Sequence, residues 1–137
     1  MQPILDPRVL FQQALQLQQL KRFNEAEEIY RKILKKFPSH TGPMTFLGLL
    51  LIEKGDPKEG IKFLKSSLKY DPMQFIAHNG LGVGLLNINS PEEAKLCFQR
   101  TISIKPDFIE AHFNLAKSLK QLKKYQLSLI HISEPTR

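Results

Sequence analysis

Residues 72–106 read Pro72-Met-Gln-Phe-Ile-Ala-His-Asn-Gly-Leu-Gly-Val-Gly-Leu-Leu-Asn-Ile-Asn-Ser-Pro-Glu-Glu-Ala-Lys-Leu-Cys-Phe-Gln-Arg-Thr-Ile-Ser-Ile-Lys-Pro106. The prolines at its two ends and Pro38 upstream fall at equal intervals. Counting back from Pro38, Pro72 and Pro106, one register repeats. Eight residues before come Tyr30, Leu64 and Phe98, all bulky; twelve before come Ala26, Gly60 and Ala94, all small. Twenty-four before come Ala14, Gly48 and Gly82, again small, and Leu115, Ala116 and Tyr125 carry the phase into a fourth unit. A fixed period of about 34 residues is the mark of a stacked repeat, in which each unit buries its apolar face only against its neighbours.

The chain's 137 residues predict one domain, and 42% hydrophobic with 24% charged residues excludes a disordered chain or a fibre. Cys97 is the single cysteine, which excludes a disulfide scaffold. No apolar run approaches the ~18–20 residues that span a bilayer; the longest is Leu47 to Ile52. The first residues lack a basic start followed by an apolar core, so the expected location is the cytoplasm, with no membrane partner.

Helix signals recur at the same period. Asp56-Pro57-Lys58-Glu59 and Ser90-Pro91-Glu92-Glu93 read as capping boxes with proline at the first helical position, and Asn24-Glu25-Ala26-Glu27 repeats the device without the proline. Asp71-Pro72 and Asp107 with Glu110 read as starts of the same kind, and Gly55 as a left-handed stop. These signals predict helices near 7–21, 25–37, 42–54, 57–70, 73–87, 91–104 and 107–122.

The pattern resembles the tetratricopeptide repeat, in the form of a bacterial-type array, on Leu47-Gly48, Gly55-Asp56 and Asp71-Pro72 in the second unit and Leu81-Gly82, Ala94, Phe98 and Pro106 in the third. The resemblance implies an all-α, right-handed superhelical solenoid of antiparallel helix pairs, about 3.5 units long. That is seven full helices and a truncated eighth. The units run 7–40, 41–74, 75–108 and, in part, 109–126. The first unit is the least typical, with Gln13 and Leu10 where the family favours Leu and Trp.

Beyond Tyr125 the register breaks. Residues Leu127-Ser-Leu-Ile-His-Ile-Ser-Glu-Pro-Thr-Arg137 resemble an in-frame translation of a transposon-type sequencing adapter. The expectation is a repeat domain over 7–126 and a non-native tail over 127–137.

A search for chemistry returns little. His40, His78, His112 and His131 form no ligand spacing; His78 and His112 share one repeat position, which places them roughly 10 Å apart in a stack, too far to share a metal. Cys97 has no basic neighbour placed to activate it. Gly80, Gly82 and Gly84 alternate inside a helix rather than between strand and helix, so they form no phosphate loop. No catalytic residue, cofactor or metal is expected within these residues.

The resemblance also implies a concave face lined by the first helix of each unit. The family's inner positions fall here on Arg8, Phe11, Leu15 and Gln18; on Thr45, Leu49, Ile52 and Glu53; on Ile76, Asn79, Val83, Leu86 and Asn87; and on Phe113, Asn114, Lys117 and Lys120. Phe11, Thr45, Leu49, Ile52, Asn79, Val83, Leu86, Asn114 and Lys117 are the expected peptide-binding set. Members that clamp a chaperone's terminal carboxylate do so with Lys and Asn at positions that here carry Phe11, Leu15, Phe46, Ile76 and Gly80, so that clamp is absent. The asparagine ladder of sugar-transferase arrays is matched only by Asn114 and, one residue displaced, Asn79.

The net charge is +7, with the cations concentrated at the two ends of the array. No base-reading pattern recurs per unit, so nucleic acid is not the expected partner. The function implied is a non-catalytic scaffold that holds a segment of another protein, with self-association through the uncapped C-terminal end as a further expectation. The alternative is the N-terminal recruitment arm of a larger glycosyltransferase, sulfotransferase or methyltransferase.

Overall fold

A computed structural model describes residues 6–133, with side chains to residue 130. Seven helices follow in order: α1 (Pro7–Gln19), α2 (Phe23–Lys36), α3 (Thr41–Lys54), α4 (Pro57–Tyr70), α5 (Phe75–Asn87), α6 (Pro91–Ile104) and α7 (Ile109–Ser133). α1 pairs with α2, α3 with α4 and α5 with α6, antiparallel, and the pairs stack into a right-handed superhelical solenoid. The first helices α1, α3, α5 and α7 pack along one another on one side. The predicted helices over 57–70 and 91–104 have the observed limits, and the other starts and the first six ends lie within two residues.

Small residues set the depth of each pair. Ala14, Ala26, Ala77, Ala94 and Ala111 are fully buried. At the centre, a Cβ on Gly60 would stand 2.6 Å from the Gly48 carbonyl oxygen and 2.8 Å from Ile52 Cγ1. The α3 and α4 backbones therefore touch, and any larger residue would separate them. Around this contact two clusters form: Ala14, Ala26, Tyr30, Leu47, Leu50 and Leu51 in the first half, and Ile52, Ile61, Leu64, Leu81, Leu85 and Phe98 in the second.

The turn inside each pair is the same object three times. Lys21, Gly55 and Asn89, each one period from the next, have φ of 63°, 105° and 60°. Their amides reach Gln18, Ile52 and Leu86, and the following amides reach back to Leu17, Leu51 and Leu85 at 2.7–2.9 Å. This is the paired-bond helix stop that favours glycine. Only Gly55 was legible as such.

The capping boxes are not formed. Asp56 and Ser90 make no side-chain cap bond, and Asn24 lies inside α2, whose cap is Arg22. The glutamates meant to complete them have charged partners instead. Arg31 Nη2 donates to Glu59 at 2.8 Å and Arg31 Nε to Glu27 at 2.9 Å. Lys54 Nζ reaches Glu27 at 3.0 Å, and Lys65 stands 3.8 Å from Glu93. Glu59 and Glu93 thus face the preceding second helix, while Glu27 bonds Arg31 of its own helix and Lys54 of α3.

The expected truncated eighth helix is not a separate element. Residues from Tyr125 onward prolong α7 through Ser133, and residues 134–137 of the expected tail lie outside the described residues. Among the described residues no helix folds back on it, and α7 shows a face that is buried elsewhere. Leu51 and Leu85 are each 2% exposed, but Leu119 at the same register position is 50% exposed, and Ala116 is open where Gly48 and Gly82 are buried.

Two stability measurements follow. Nothing lies within 4 Å of a Cβ built on Gly55, so Gly55→Ala isolates the backbone strain of a positive φ and lowers urea-unfolding stability by ~1–2 kcal/mol. Lys21→Gly removes that strain and the exposed Lys21–Glu53 pair at 2.8 Å, which is worth little, and raises stability by up to ~1 kcal/mol.

The second concerns acid. Burial alone would raise the Glu27 carboxyl, but the bonds from Arg31 and Lys54 outweigh it and hold it below its ordinary value of 4.5. A depressed folded pKa stabilises above the unfolded value and is lost as pH falls through the folded one. Urea midpoints therefore drop as pH falls below about 4.5, and Glu27→Gln flattens that drop while lowering the midpoint at neutral pH.

Candidate functional site: the concave face

The inner side of the array carries two clefts that meet at α3. One, about 370 Å³, lies between α1 and α3 and is lined by Leu15, Gln18, Phe46, Leu49 and Glu53. The other, about 470 Å³, lies between α3 and α5, with Leu49, Ile52, Asn79, Val83 and Asn87 on its walls and Glu110 of α7 at its edge. Leu49 and Glu53 belong to both, so the two form one continuous groove along the first helices. Its floor is apolar, and its polar groups are amides, the carboxylates of Glu53 and Glu110, and the Lys21 ammonium, which pairs with Glu53 at 2.8 Å.

Four of the nine expected residues line this groove: Leu49, Ile52, Asn79 and Val83. Asn79 is 6% exposed and its Oδ1 accepts from Asn114 Nδ2 at 3.2 Å. Asn114, itself buried, thus stands behind Asn79 rather than in the groove. Asn79 Nδ2 has no hydrogen-bond partner among the described residues and is left to face the cleft.

Four expected residues fall elsewhere, three of them for a packing reason. Thr45 is 3% exposed and belongs to a polar knot between α3 and α4, in which its Oγ1 lies 2.7 Å from Ser67 Oγ and donates to Gln74 Oε1 at 2.8 Å. The phenyl ring of Phe11 packs edge-on against Phe46 at 5.7 Å and beside Tyr30 at 6.1 Å. Leu86 packs against the second core cluster. Lys117 is exposed on α7, beyond the cleft walls. Ile52 is divided: it lines the cleft, yet it is 8% exposed and packed with Ile61 and Leu64. Glu110 was missed from the inner set. It occupies the register position of Ile76, so counting one period on from Ile76 would have found it.

The residues screened for chemistry are in structural roles. His78 Nε2–H donates to the Pro72 carbonyl at 2.7 Å and His112 Nε2–H to that of Pro106 at 2.8 Å, one repeat apart, each closing the entry to a first helix. Among the described residues no group of three metal-ligating side chains comes together. Burial, with Glu93 nearby, pushes the Cys97 thiol up to about 11, so it carries little thiolate at neutral pH. Burial also pushes the Tyr30 phenol above its usual range, and its hydroxyl donates to Gln18 Oε1 at 2.8 Å.

A charge on the divided residue tests its place. Ile52→Glu sets a carboxylate against Ile61 and Leu64 and lowers stability by about 3 kcal/mol or more, whereas Val83→Glu, half-buried at the groove wall, costs markedly less. Thermal melts by circular dichroism decide, and equal losses would place both in the groove or both in the core.

Comparison with known proteins agrees with the geometry. Residues 17–82 match the family described as tetratricopeptide repeat. The peroxisomal targeting signal receptor of Saccharomyces cerevisiae is 35% identical over 94 residues, which are 64% of this chain and 15% of that protein. The chain thus spans under a sixth of that relative's length. The first tetratricopeptide domain of Spaghetti (RPAP3), solved bound to the HSP90 peptide SRMEEVD, superposes with a TM-score of 0.82 at 18% identity, over 85% of this chain and 93% of that one. An O-GlcNAc transferase from Thermobaculum terrenum superposes at 0.80 and 23% identity, over 82% of this chain and 22% of its own. Shared period, shared helix-pair geometry and sequence match lead to one family: residues 17–82 are tetratricopeptide repeats, and the helix pairs on either side continue the same stack.

Proposed function

We propose that the chain is a non-catalytic interaction scaffold that holds a segment of another protein in its concave groove. The observation that carries this reading is the open, apolar-floored groove with a buried Asn79–Asn114 amide pair beside it. An apolar floor takes side chains, and the free Asn79 amide is placed to meet a backbone carbonyl of an extended or helical segment. The name of the yeast relative, a receptor for a targeting signal, is consistent with segment recognition. A terminal carboxylate of the chaperone type is not the ligand in this reading. The inner positions that would clamp it are Phe11, Leu15, Phe46, Ile76 and Gly80, and Glu110 adds negative charge at the edge. The likeness to the transferase segment is one of fold, so a catalytic arm gains no support from it. A cytoplasmic location belongs to the same proposal.

The test uses peptides selected against the 137-residue chain from a random display library. Val83→Arg with Asn87→Arg fills the cleft from a half-buried and an exposed position, leaving helicity unchanged. Fluorescence anisotropy is expected to show affinity for the selected peptides falling at least about tenfold, a loss of about 1.4 kcal/mol. Selected peptides that bind the double variant as well as the parent chain would place recognition outside the groove.

A further inference from the structure

A second groove lies on the outer side, between α2 and α4. Leu34, Met44 and Phe63 line it, with Pro38 and Tyr70 at its end, enclosing about 490 Å³. Through Phe63 and Ser66 it continues into a depression of about 510 Å³ walled by Lys58 and Lys62. Together the two follow α4 along its 14 residues, a length of ~20 Å.

The repeat register explains why the floor is apolar here. Met44 stands where the next two units have His78 and His112, so no imidazole binds the Pro38 carbonyl. One unit on, Cys97 and Arg100 replace Phe63 and Ser66, and Arg100 Nη2 reaches over to Met73 Sδ at 3.7 Å.

The rim is cationic and unsatisfied. Lys58, Lys62 and Lys69 line the groove, are exposed, and form no ion pair among the described residues. Of the two carboxylates in the wall, Glu59 is held by Arg31 at 2.8 Å, which leaves Asp56 alone at one end. The Arg31 guanidinium, paired with Glu27 and Glu59, lies 5.6 Å from the Phe63 ring centroid and covers one side of that ring without adding free charge. Lys35 and Lys36, exposed at the end of α2, extend the positive field.

These features select the occupant. Both walls are helices whose backbone bonds are internal, so an extended strand would find no ladder to join, while a helix brings its own bonds and lies along the channel between two helical ridges. The cations require negative charge beside the apolar side. A second copy does not supply it: the chain carries +7, and none of α1 to α7 has a net negative charge. We propose that the α2–α4 groove docks an acidic amphipathic helix of a partner protein, with its apolar side on Leu34 and Phe63 and its carboxylates on Lys58, Lys62 and Lys69. This surface is separate from the concave groove and does not rest on the function proposed for it.

The probe is a fluorescein-labelled helical peptide, leucine on one face and glutamate flanking it, compared with the same peptide bearing lysine for glutamate. Anisotropy against the full chain is expected to show the acidic peptide binding at least about tenfold more tightly than the lysine version, and more weakly as salt rises. Lys62→Glu with Lys69→Glu, both exposed and unpaired, leaves the circular dichroism unchanged and weakens the acidic peptide about tenfold, while Val83→Arg in the concave groove has no effect. Equal affinity of the charge-reversed and parent chains overturns the proposal. So does binding of an RNA oligonucleotide or of phosphatidylserine vesicles as tight as that of the acidic peptide, because either would make the surface a general polyanion site.

Discussion

The approach of two backbones at Gly48 and Gly60 is the constraint on which the rest depends. A Cβ at either position would meet the other's carbonyl oxygen at under 3 Å, so the α3–α4 pair is as tight as helices pack. That closeness brings Leu64 and Ile61 against Ile52, seats the Thr45–Ser67–Gln74 knot, and fixes how far α5 stands from α3. The width of the concave groove is the gap left between first helices once their second helices are seated. A function written on the inner surface is therefore set by residues that never reach it.

The outer surface obeys a different rule. What second helices share with one another is charge: Arg31 with Glu59 and Lys65 with Glu93, while Lys54 of α3 joins Glu27 of α2. These pairs are partly exposed and individually weak. They nevertheless decide which cations remain free, because the lysines without acidic partners collect along α4 and give that side its sign.

The period, the small and bulky positions and the limits of α4 and α6 were legible because each rests on local chemistry repeated three times. The helix stops at Lys21 and Asn89 were not, because only the glycine of the three announces a positive φ. Asp56 and Ser90 carry the right residue types for a cap, but their backbones, at φ −119°, ψ 69° and φ −116°, ψ 66°, lie outside the extended region a cap adopts, and their glutamates face Arg31 and Lys65 one helix away, neither of which a local rule sees. The inner face was half legible. Register places Leu49, Asn79 and Val83 on it. Whether a given aliphatic there turns toward solvent or toward Gly60 and Ile61, as Ile52 does, depends on the closeness of the pair behind it. The last helix differs most: with nothing among the described residues folded against Ala116 and Leu119, no packing rewards a turn near Tyr125, and a run without proline stays helical to Ser133.

The two outer ion pairs are one contact seen twice: Arg31 and Lys65 are one period apart, as are Glu59 and Glu93. Unit 41–74 therefore carries both halves of the joint, an acid facing back and a base facing forward. A tandem duplicate of that unit would dock on its parent through Lys65 and a copied Glu59, with no new side chain needed. Unit 75–108 has the acid Glu93 but Gln99 in place of the base, so it accepts the joint and cannot pass it on. A copy of the second unit would keep this joint, whereas a unit following the third stacks, as α7 does on α6, through packing alone.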